Sequence, residues 1–268
     1  MSVYPDQDYD LIAGHGGGSP ALRYYENTGS KIGEVFGAGS PNWQGATYTV
    51  SPGLAFGDID NDGDHDMFAA SSGGAIFYRN TGTCVSVGMN LEALAGIGGC
   101  GHQGAKPALC DLNGDGLLDL FVGHSGGIRF HKNSGTATSP SFAYAYDQRD
   151  YLNQQIVINS QYGAPTFGDL DGNGTYDLVL GEATNVLWYW KNIGTRTSPV
   201  FSNASTCFGG FTNDGGRLAP ALVDIDADGD LDLFVGNDAG NIVKYENTGT
   251  VYNALWRDAV TNVSVPGG

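Results

Sequence analysis

No apolar run in this chain approaches the roughly 18 residues that a helix needs to cross a bilayer, which excludes a helical membrane span. No segment sustains a helical period, so helical bundles are excluded as well. Basic residues are scarce, 12 against 29 acidic, and the net charge is −17. A chain of that sign lacks the basic face that nucleic acid requires, and anionic membrane surfaces repel it. Cysteine is limited to 4 residues whose spacing fits no zinc pattern. No His-Glu-x-x-His motif is present. No leader segment is visible, so a secreted form would be a mature chain or an excised domain. Glycine, by contrast, is abundant at 43 of 268 residues, as expected of a chain built from strands and tight turns.

Four stretches spell nearly the same acidic loop. They are Asp58-Ile-Asp-Asn-Asp-Gly-Asp-His-Asp66, Asp111-Leu-Asn-Gly-Asp-Gly-Leu-Leu-Asp119, Asp169-Leu-Asp-Gly-Asn-Gly-Thr-Tyr-Asp177 and Asp224-Ile-Asp-Ala-Asp-Gly-Asp-Leu-Asp232. Each has Asp or Asn at loop positions 1, 3 and 5, Gly at 6 and Asp at 9. Hard cations take several oxygen ligands, and Ca²⁺ takes about 6–8 of them. Alternate carboxylates on a tight loop supply such oxygens, and Gly at position 6 permits the bend. An EF-hand would need a Glu at position 12 and flanking helices. Position 12 is instead Ala69, Val122, Leu180 and Val235, inside short apolar runs such as Asp-Leu-Phe-Val-Gly that read as buried strands. The loops therefore join two strands of a β-hairpin.

A second repeat sets the period. Tyr25-Glu-Asn27-Thr-Gly29 returns around Asn80, Asn133, Asn192 and Asn247, at spacings of 53, 53, 59 and 55 residues. Asn and Gly both tolerate positive φ, so Asn-x-Gly is a turn signal. A period near fifty that holds only strand signals points to propeller blades. The fifth unit reads as strand A at Pro220–Val223, the acidic loop, strand B at Leu231–Val235, strand C at Asn241–Glu246, and strand D within Leu255–Val265.

With its four loops, Leu-Phe-Val-Gly strands and Asn-Thr-Gly turns, the chain resembles the FG-GAP/VCBS repeat family, the calcium-loop blades of integrin-α-type β-propellers. The segments Thr136–Phe142 and Thr195–Phe201 are similar to those between blades of that family. The resemblance implies an all-β fold, a propeller of five four-stranded blades with Ca²⁺ loops between strands A and B of four of them. It implies one domain over residues 1–268, with blades near 1–52, 53–104, 105–162, 163–217 and 218–268. It also implies about four Ca²⁺ ions. Side chains at positions 1, 3, 5 and 9 and the backbone carbonyl at position 7 would be the ligands. In chain order these are Asp58, Asp60, Asp62, Asp64 and Asp66; Asp111, Asn113, Asp115, Leu117 and Asp119; Asp169, Asp171, Asn173, Thr175 and Asp177; and Asp224, Asp226, Asp228, Asp230 and Asp232. Asn113 and Asn173 are neutral, so their two sites should bind more weakly. Blade one departs: Asp10 aligns with position 9, but no Gly stands at position 6, and no calcium is expected there. Either Ser2–Tyr4 is a short strand A or that strand is absent. The end at Val263–Gly268 makes a thin seam, leaving open a fragment of a larger ring or a ring completed by another chain.

The four loops hold 16 of the 29 acidic residues. Like charges packed this closely are costly without a counter-ion, so calcium is expected to stabilise the fold by binding the native state. Cys84 and Cys100 could bridge, Cys110 is expected to be a buried thiol, and Cys207 has no evident partner. Sequons occur at Asn173, Asn203 and Asn262. Asn173 is an expected calcium ligand and unavailable, whereas Asn203 and Asn262 are candidate glycosylation sites on outer segments.

In a four-stranded meander the A–B loops share one face and the B–C loops the other. His15, Ser71, His124, Glu182 and Asn237 leave strand B and should ring the opening opposite the calcium loops, as candidate ligand-binding residues. Trp43, Trp188, Trp190 and Trp256 could stack on sugar rings. Core packing is the competing reading for Trp188 and Trp190, and Trp256 aligns with the structural Phe36, Phe142 and Phe201. The expected function is a non-enzymatic, extracellular or cell-surface, calcium-binding recognition or adhesion module. Its partner would be a protein or glycan of the cell surface or matrix, with self-association possible. The alternatives are a glycan-binding lectin, a structural subunit of a surface filament, and a polysaccharide-active enzyme. The last needs two carboxylates flanking a cleft about 5–9 Å apart, and the acids here are committed to loops.

Overall fold

The computed structural model describes residues 9–14, 22–29, 35–38, 40–41, 53–71, 74–82, 87–92, 106–124, 127–142, 162–203, 205 and 216–256. Among the described residues there is no helix, and the strands form five small sheets. The first holds β1 (Leu11–Gly14), β2 (Leu22–Tyr25) and β3 (Ser40–Pro41). The second holds β4 (Gly53–Gly57), β5 (Asp66–Ser71), β6 (Gly74–Asn80) and β7 (Met89–Glu92). The third holds β8 (Lys106–Cys110), β9 (Asp119–His124) and β10 (Gly127–His131). The fourth holds β11 (Gly163–Gly168), β12 (Asp177–Glu182) and β13 (Leu187–Trp190), and the fifth β14 (Ala219–Val223), β15 (Asp232–Gly236) and β16 (Ile242–Tyr245). Strands pair antiparallel in chain order throughout, so each sheet is a meander.

The expected fourth strand is present in the second sheet as β7. In the fourth sheet a single bridge from Tyr189 to Ser205 marks the same outer position. The segment expected to carry strand D of the fifth unit lies outside the described residues beyond Trp256, as do Ser2–Tyr4 and Val263–Gly268. The first sheet opens with the strand that follows Asp10.

Period-2 alternation explains why the sheets stack. In β5, Met67 and Ala69 pack with Leu22 and Tyr24 of the first sheet, while Phe68 between them packs with Leu120 and Val122 of the third. In β9, Leu120 and Val122 face back to the second sheet and Phe121 faces Leu178 and Leu180 of the fourth. In β12, Val179 turns to Leu233 and Val235 of the fifth. Alternate side chains of a strand leave opposite faces, and here both faces are covered. That is why these strands read as unbroken apolar runs. A fully buried Phe or Leu contributes roughly 1.5–3 kcal/mol. Aromatics fill the gaps: Phe121 lies 4.5 Å from Phe167 of the next sheet, and Phe68 meets Phe142 edge-on at 5.6 Å. Trp190 is buried in the same layer with Trp188 against it, so packing accounts for both rings.

The glycine one residue before the end of β9 and of β12 has a packing role. A Cβ on Gly123 would fall on the carbonyl oxygen of Gly163 in the next sheet, and one on Gly181 would fall on that of Leu218. Beside the second contact, the Leu218 amide donates to the Glu182 carbonyl at 3.1 Å. Successive sheets thus meet backbone to backbone at this edge. Cys110 is a buried free thiol in the third sheet, and burial pushes its pKa well up. Cys84, Cys100, Cys207 and Trp43 lie outside the described residues.

Candidate functional site

The four acidic segments connect β4 to β5, β8 to β9, β11 to β12 and β14 to β15. All four have one backbone shape. Position 6 is Gly63, Gly116, Gly174 or Gly229, with φ between 81° and 95°. Position 4 is also left-handed: Asn61 at 57°, Gly114 at 69°, Gly172 at 63° and Ala227 at 60°. The sequence pattern announces the first bend and not the second, because position 4 varies. The position-1 carboxylate caps the loop by accepting the position-6 amide at 3.1, 3.0, 2.8 and 3.2 Å. The position-5 side chain accepts the position-7 amide at 2.9, 3.1, 2.7 and 3.0 Å.

Three carboxylates converge in three of the loops. Asp58, Asp60 and Asp62 form one group, Asp169, Asp171 and Asp177 a second, and Asp224, Asp226 and Asp228 a third, each with ligand atoms within 4.8 Å of one another. Asp60 Oδ1, Asp224 Oδ1 and Asp230 Oδ1 are buried and accept no hydrogen bond. A buried carboxylate oxygen without a partner is costly. An all-oxygen donor set with such orphaned acceptors fits a hard divalent cation.

Position 9 has a second partner. Asp66, Asp119, Asp177 and Asp232 are at most 1% exposed. One oxygen of each accepts the backbone amide of the Asn-x-Gly asparagine in its own sheet: Asn80 at 2.7 Å, Asn133 at 2.8 Å, Asn192 at 2.7 Å and Asn247 at 2.8 Å. In three loops the other oxygen accepts the position-2 amide, from Ile59, Leu170 and Ile225 at 3.3, 3.3 and 3.4 Å. Burial raises these four carboxyls to about 6, 7, 6 and 6 in chain order, against the pull of the asparagine amides. The asparagine side chain completes the joint. Its Oδ1 accepts the amide two residues on and the amide eight residues on in all five repeats, at 2.9–3.1 Å. Phe36, Phe142, Phe201 and Trp256 all bridge to this asparagine, as their alignment implied.

Loops also touch the following repeat. The turn closed by Thr195 and Ser198 lays Arg196 over Gly114, with Arg196 Nη2 3.8 Å from Asp111 Oδ2. The turn closed by Thr250 and Asn253 lays Tyr252 over Gly172.

At the opposite ends of the strands, His124 and Glu182 are buried and Asn237 closes its own hairpin, its Oδ1 accepting the Asn241 amide at 3.0 Å. His15 and the side chain of Ser71 lie outside the described residues. Asn203 is exposed, and Asn262 is outside the described residues. Sequence reasoning missed a group at this end. Arg217 lies 4.8 Å and Lys106 5.9 Å from the Tyr162 ring, and Arg217 Nε is 3.3 Å from Asp238 Oδ2. Lys106 opens β8, Tyr162 and Arg217 stand just before β11 and β14, and Asp238 follows β15, and no local pattern links them. Gly123-His-Ser-Gly-Gly127 also matches Gly-x-Ser-x-Gly. Its ends lie on the paired antiparallel strands β9 and β10, whereas a nucleophile elbow joins a strand to a helix, and Ser125 itself lies outside the described residues.

The repeating loop, buried position-9 carboxylate and asparagine turn match a known family. FG-GAP-like repeats cover residues 58–122, 111–180 and 169–235, and an FG-GAP repeat covers 218–253. The chain belongs to the FG-GAP repeat family. Each FG-GAP-like match runs from position 1 of one acidic loop to position 12 of the next, so the loop and the strand after it carry the match. A comparison with curated protein sequences finds no match. Among solved structures, the FG-GAP chain is similar over 94% of its length to an Agrocybe aegerita lectin, at 19% identity and a TM-score of 0.45. That structure concerns specific recognition of non-reducing terminal N-acetylglucosamine, and the present chain covers 65% of it.

Proposed function

We propose that this FG-GAP chain is a calcium-stabilised β-propeller of five sheets in a single domain, acting outside the cell as a non-enzymatic recognition or adhesion module. The observation that carries the reading is the shared form of the four acidic loops, two of which hold buried oxygens that accept no hydrogen bond. The ring is supported by how the sheets adjoin. First strands β4, β8, β11 and β14 neighbour one another in succession. Aromatics such as Phe77, Phe130 and Trp190 occupy the layers between sheets. Sheets close at their first strands and spaced apart by rings further out form a fan about an axis.

In this reading each loop takes one Ca²⁺ through positions 1, 3 and 5, with position 9 holding the loop to the asparagine turn and lending an oxygen where it can. Calcium binding then serves the fold rather than signalling. Recognition of a cell-surface or matrix protein or glycan is assigned to the end of the strands away from the loops, where Lys106, Tyr162, Arg217 and Asp238 gather. Calorimetric titration of metal-stripped protein with calcium tests the central point. Uptake near four ions with a rise in melting temperature supports it, and absence of any uptake overturns it. Calcium-dependent retention on immobilised matrix proteins, set against a glycan array, separates protein from glycan partners. Turnover of a polysaccharide would overturn the non-enzymatic reading.

A further inference from the structure

The pairing register lines up the first strands of four sheets. The residues opposite Ala70, Gly123, Gly181 and Gly236 are Gly53, Lys106, Ala164 and Ala219. Three sheets thus have glycine or alanine at this place, where a first strand pairs with the end of the second. Lys106 breaks the series with a cation. Burial pulls its pKa down, Asp238 pulls it up, and Arg217 pulls it down again. Among the described residues no carboxylate stands within ion-pair distance of its Nζ. A partly buried ammonium without a close counter-ion is unfavourable, and the other sheets show that the strands pair without one.

Arg217 is the second departure. Its φ is 41°, directly after Gly216 at 66°, so a residue with a side chain occupies the left-handed region. Such strain persists only where surrounding contacts hold it. Here the Gly216 amide donates to Asn185 Oδ1 at 2.6 Å, and the Gly216 carbonyl accepts the Asp238 amide at 3.2 Å. These bonds place the guanidinium 4.8 Å from the Tyr162 ring, with Nε 3.3 Å from Asp238 Oδ2. Lys106 Nζ stands 5.9 Å from the same ring. Two cations therefore converge on one aromatic ring, in a chain that has only 12 lysines and arginines. Arg217 and Asp238 have side chains 52% and 50% exposed, so a ligand can reach them. Glu182 is buried, and its Oε2 accepts Thr184 Oγ1 at 3.3 Å within its own hairpin.

We propose that this end of the fold binds the uronic acid units of an acidic glycan. The proposal rests on the reading of the chain as a recognition module whose ligand sits away from the acidic loops. Lys106 and Arg217 take the sugar carboxylate, the guanidinium through paired donors that match its two oxygens. Asp238 accepts a hydroxyl of the same unit or the next. Lys106, Arg217 and Asp238 together carry one positive charge, which suits one carboxylate. An acidic peptide side chain would use the two cations and be repelled by Asp238. A ring bearing a carboxylate and hydroxyls side by side uses all three groups. The net charge of −17 does not oppose this, because 16 of the 29 acids lie in the loops at the opposite ends of the strands. Strands of five or six residues put roughly 15 Å between the two ends, and exposed charges are screened beyond about 8 Å at physiological salt.

The test is titration of the full chain in calcium with oligosaccharides of glucuronic, galacturonic and mannuronic acid, each beside its carboxyl-reduced form, and with a polyglutamate peptide. Wild type is compared with Lys106→Met and Arg217→Gly. Glycine adopts the Arg217 backbone conformation without strain, so that variant loses the guanidinium and keeps the turn. Methionine keeps most of the Lys106 stem. The wild type should bind at least one of the acidic oligosaccharides, and its carboxyl-reduced form at least tenfold more weakly. Each variant should lose roughly tenfold in affinity, with calcium uptake and melting temperature held near the wild-type values as the check on folding. Equal binding of acidic and reduced forms, polyglutamate bound as tightly as the sugars, unchanged affinity in both variants, or no binding of any uronate would each overturn the proposal. Capture of a neutral glycan or a matrix protein that Arg217→Gly weakens would also overturn it, while leaving recognition at this end standing.

Discussion

The backbone amide of Asn27 donates to Asp10 Oδ1 at 3.0 Å, the same bond that Asn80 makes to Asp66, although the sequence before Asp10 lacks the position-6 glycine of the four acidic loops. The buried aspartate at this position therefore has a structural task separable from any metal. It binds the strand it begins to the turn that ends the next strand.

Replacing Asp10 by Ala should destabilise the protein by about 1–3 kcal/mol, because the buried Asn27 amide loses its acceptor. Calcium stoichiometry should stay at the wild-type value. Urea unfolding with and without excess calcium measures both. A variant as stable as wild type would show that the bond carries no structural weight.

Gly181→Ala should cost on the order of 1–3 kcal/mol, because its Cβ would collide with the Leu218 carbonyl of the next sheet. Gly236 is the equivalent residue of the fifth repeat, and among the described residues a Cβ there meets nothing nearer than 3.9 Å. Gly236→Ala should be close to neutral. Equal losses at the two positions would refute the backbone-to-backbone contact as the cause.

Ala227 holds a φ of 60°, where an L side chain is strained. Ala227→Gly should raise stability by about 0.5–1 kcal/mol, seen as a higher melting temperature in calcium-free buffer. A fall in melting temperature would mean that the left-handed geometry carries no strain.

The buried carboxyls give a pH signature. Asp66, Asp119, Asp177 and Asp232 are raised from 3.8 to about 6, 7, 6 and 6. The folded state then holds protons that the unfolded chain has released. In chelator, the stability these groups contribute is fully present below about pH 4 and lost as pH climbs through 6 to 7. Calcium should oppose that loss, and its binding should release protons over the same window. Thermal melts from pH 4 to 7 with chelator and with calcium decide the matter. A chelated melting temperature that climbs across the window would reverse the sign.

Much of this was legible in the residues because it is local or strictly periodic. The spacing of Asn27, Asn80, Asn133, Asn192 and Asn247 marks five equivalent joints, and each has the same hydrogen bonds. Glycine at loop position 6 announced its bend, and Cys110 before an acidic loop read correctly as a buried thiol. What stayed hidden depends on contacts between repeats or on positions where residue type varies. Gly123 and Gly181 sit in the apolar runs that read as strands, whereas their need for a bare Cα comes from another sheet some 40 residues on. Nothing in the sequence singles out Arg79, Lys132 and Lys191, and the fold brings them beside the acidic loops. Lys106, Tyr162 and Arg217 stand beside the first strands of three different sheets, and only packing unites them.

The turns that lie on preceding loops give the array a grammar. A Cβ at Gly114 would come within 2.9 Å of Arg196, and one at Gly172 within 2.6 Å of Tyr252. The loops bearing Asn61 and Ala227 already own that Cβ and could not accept a turn seated so closely. Shuffling the repeats would therefore jam a side chain under a turn. One backbone position in each repeat dictates which neighbour may follow it.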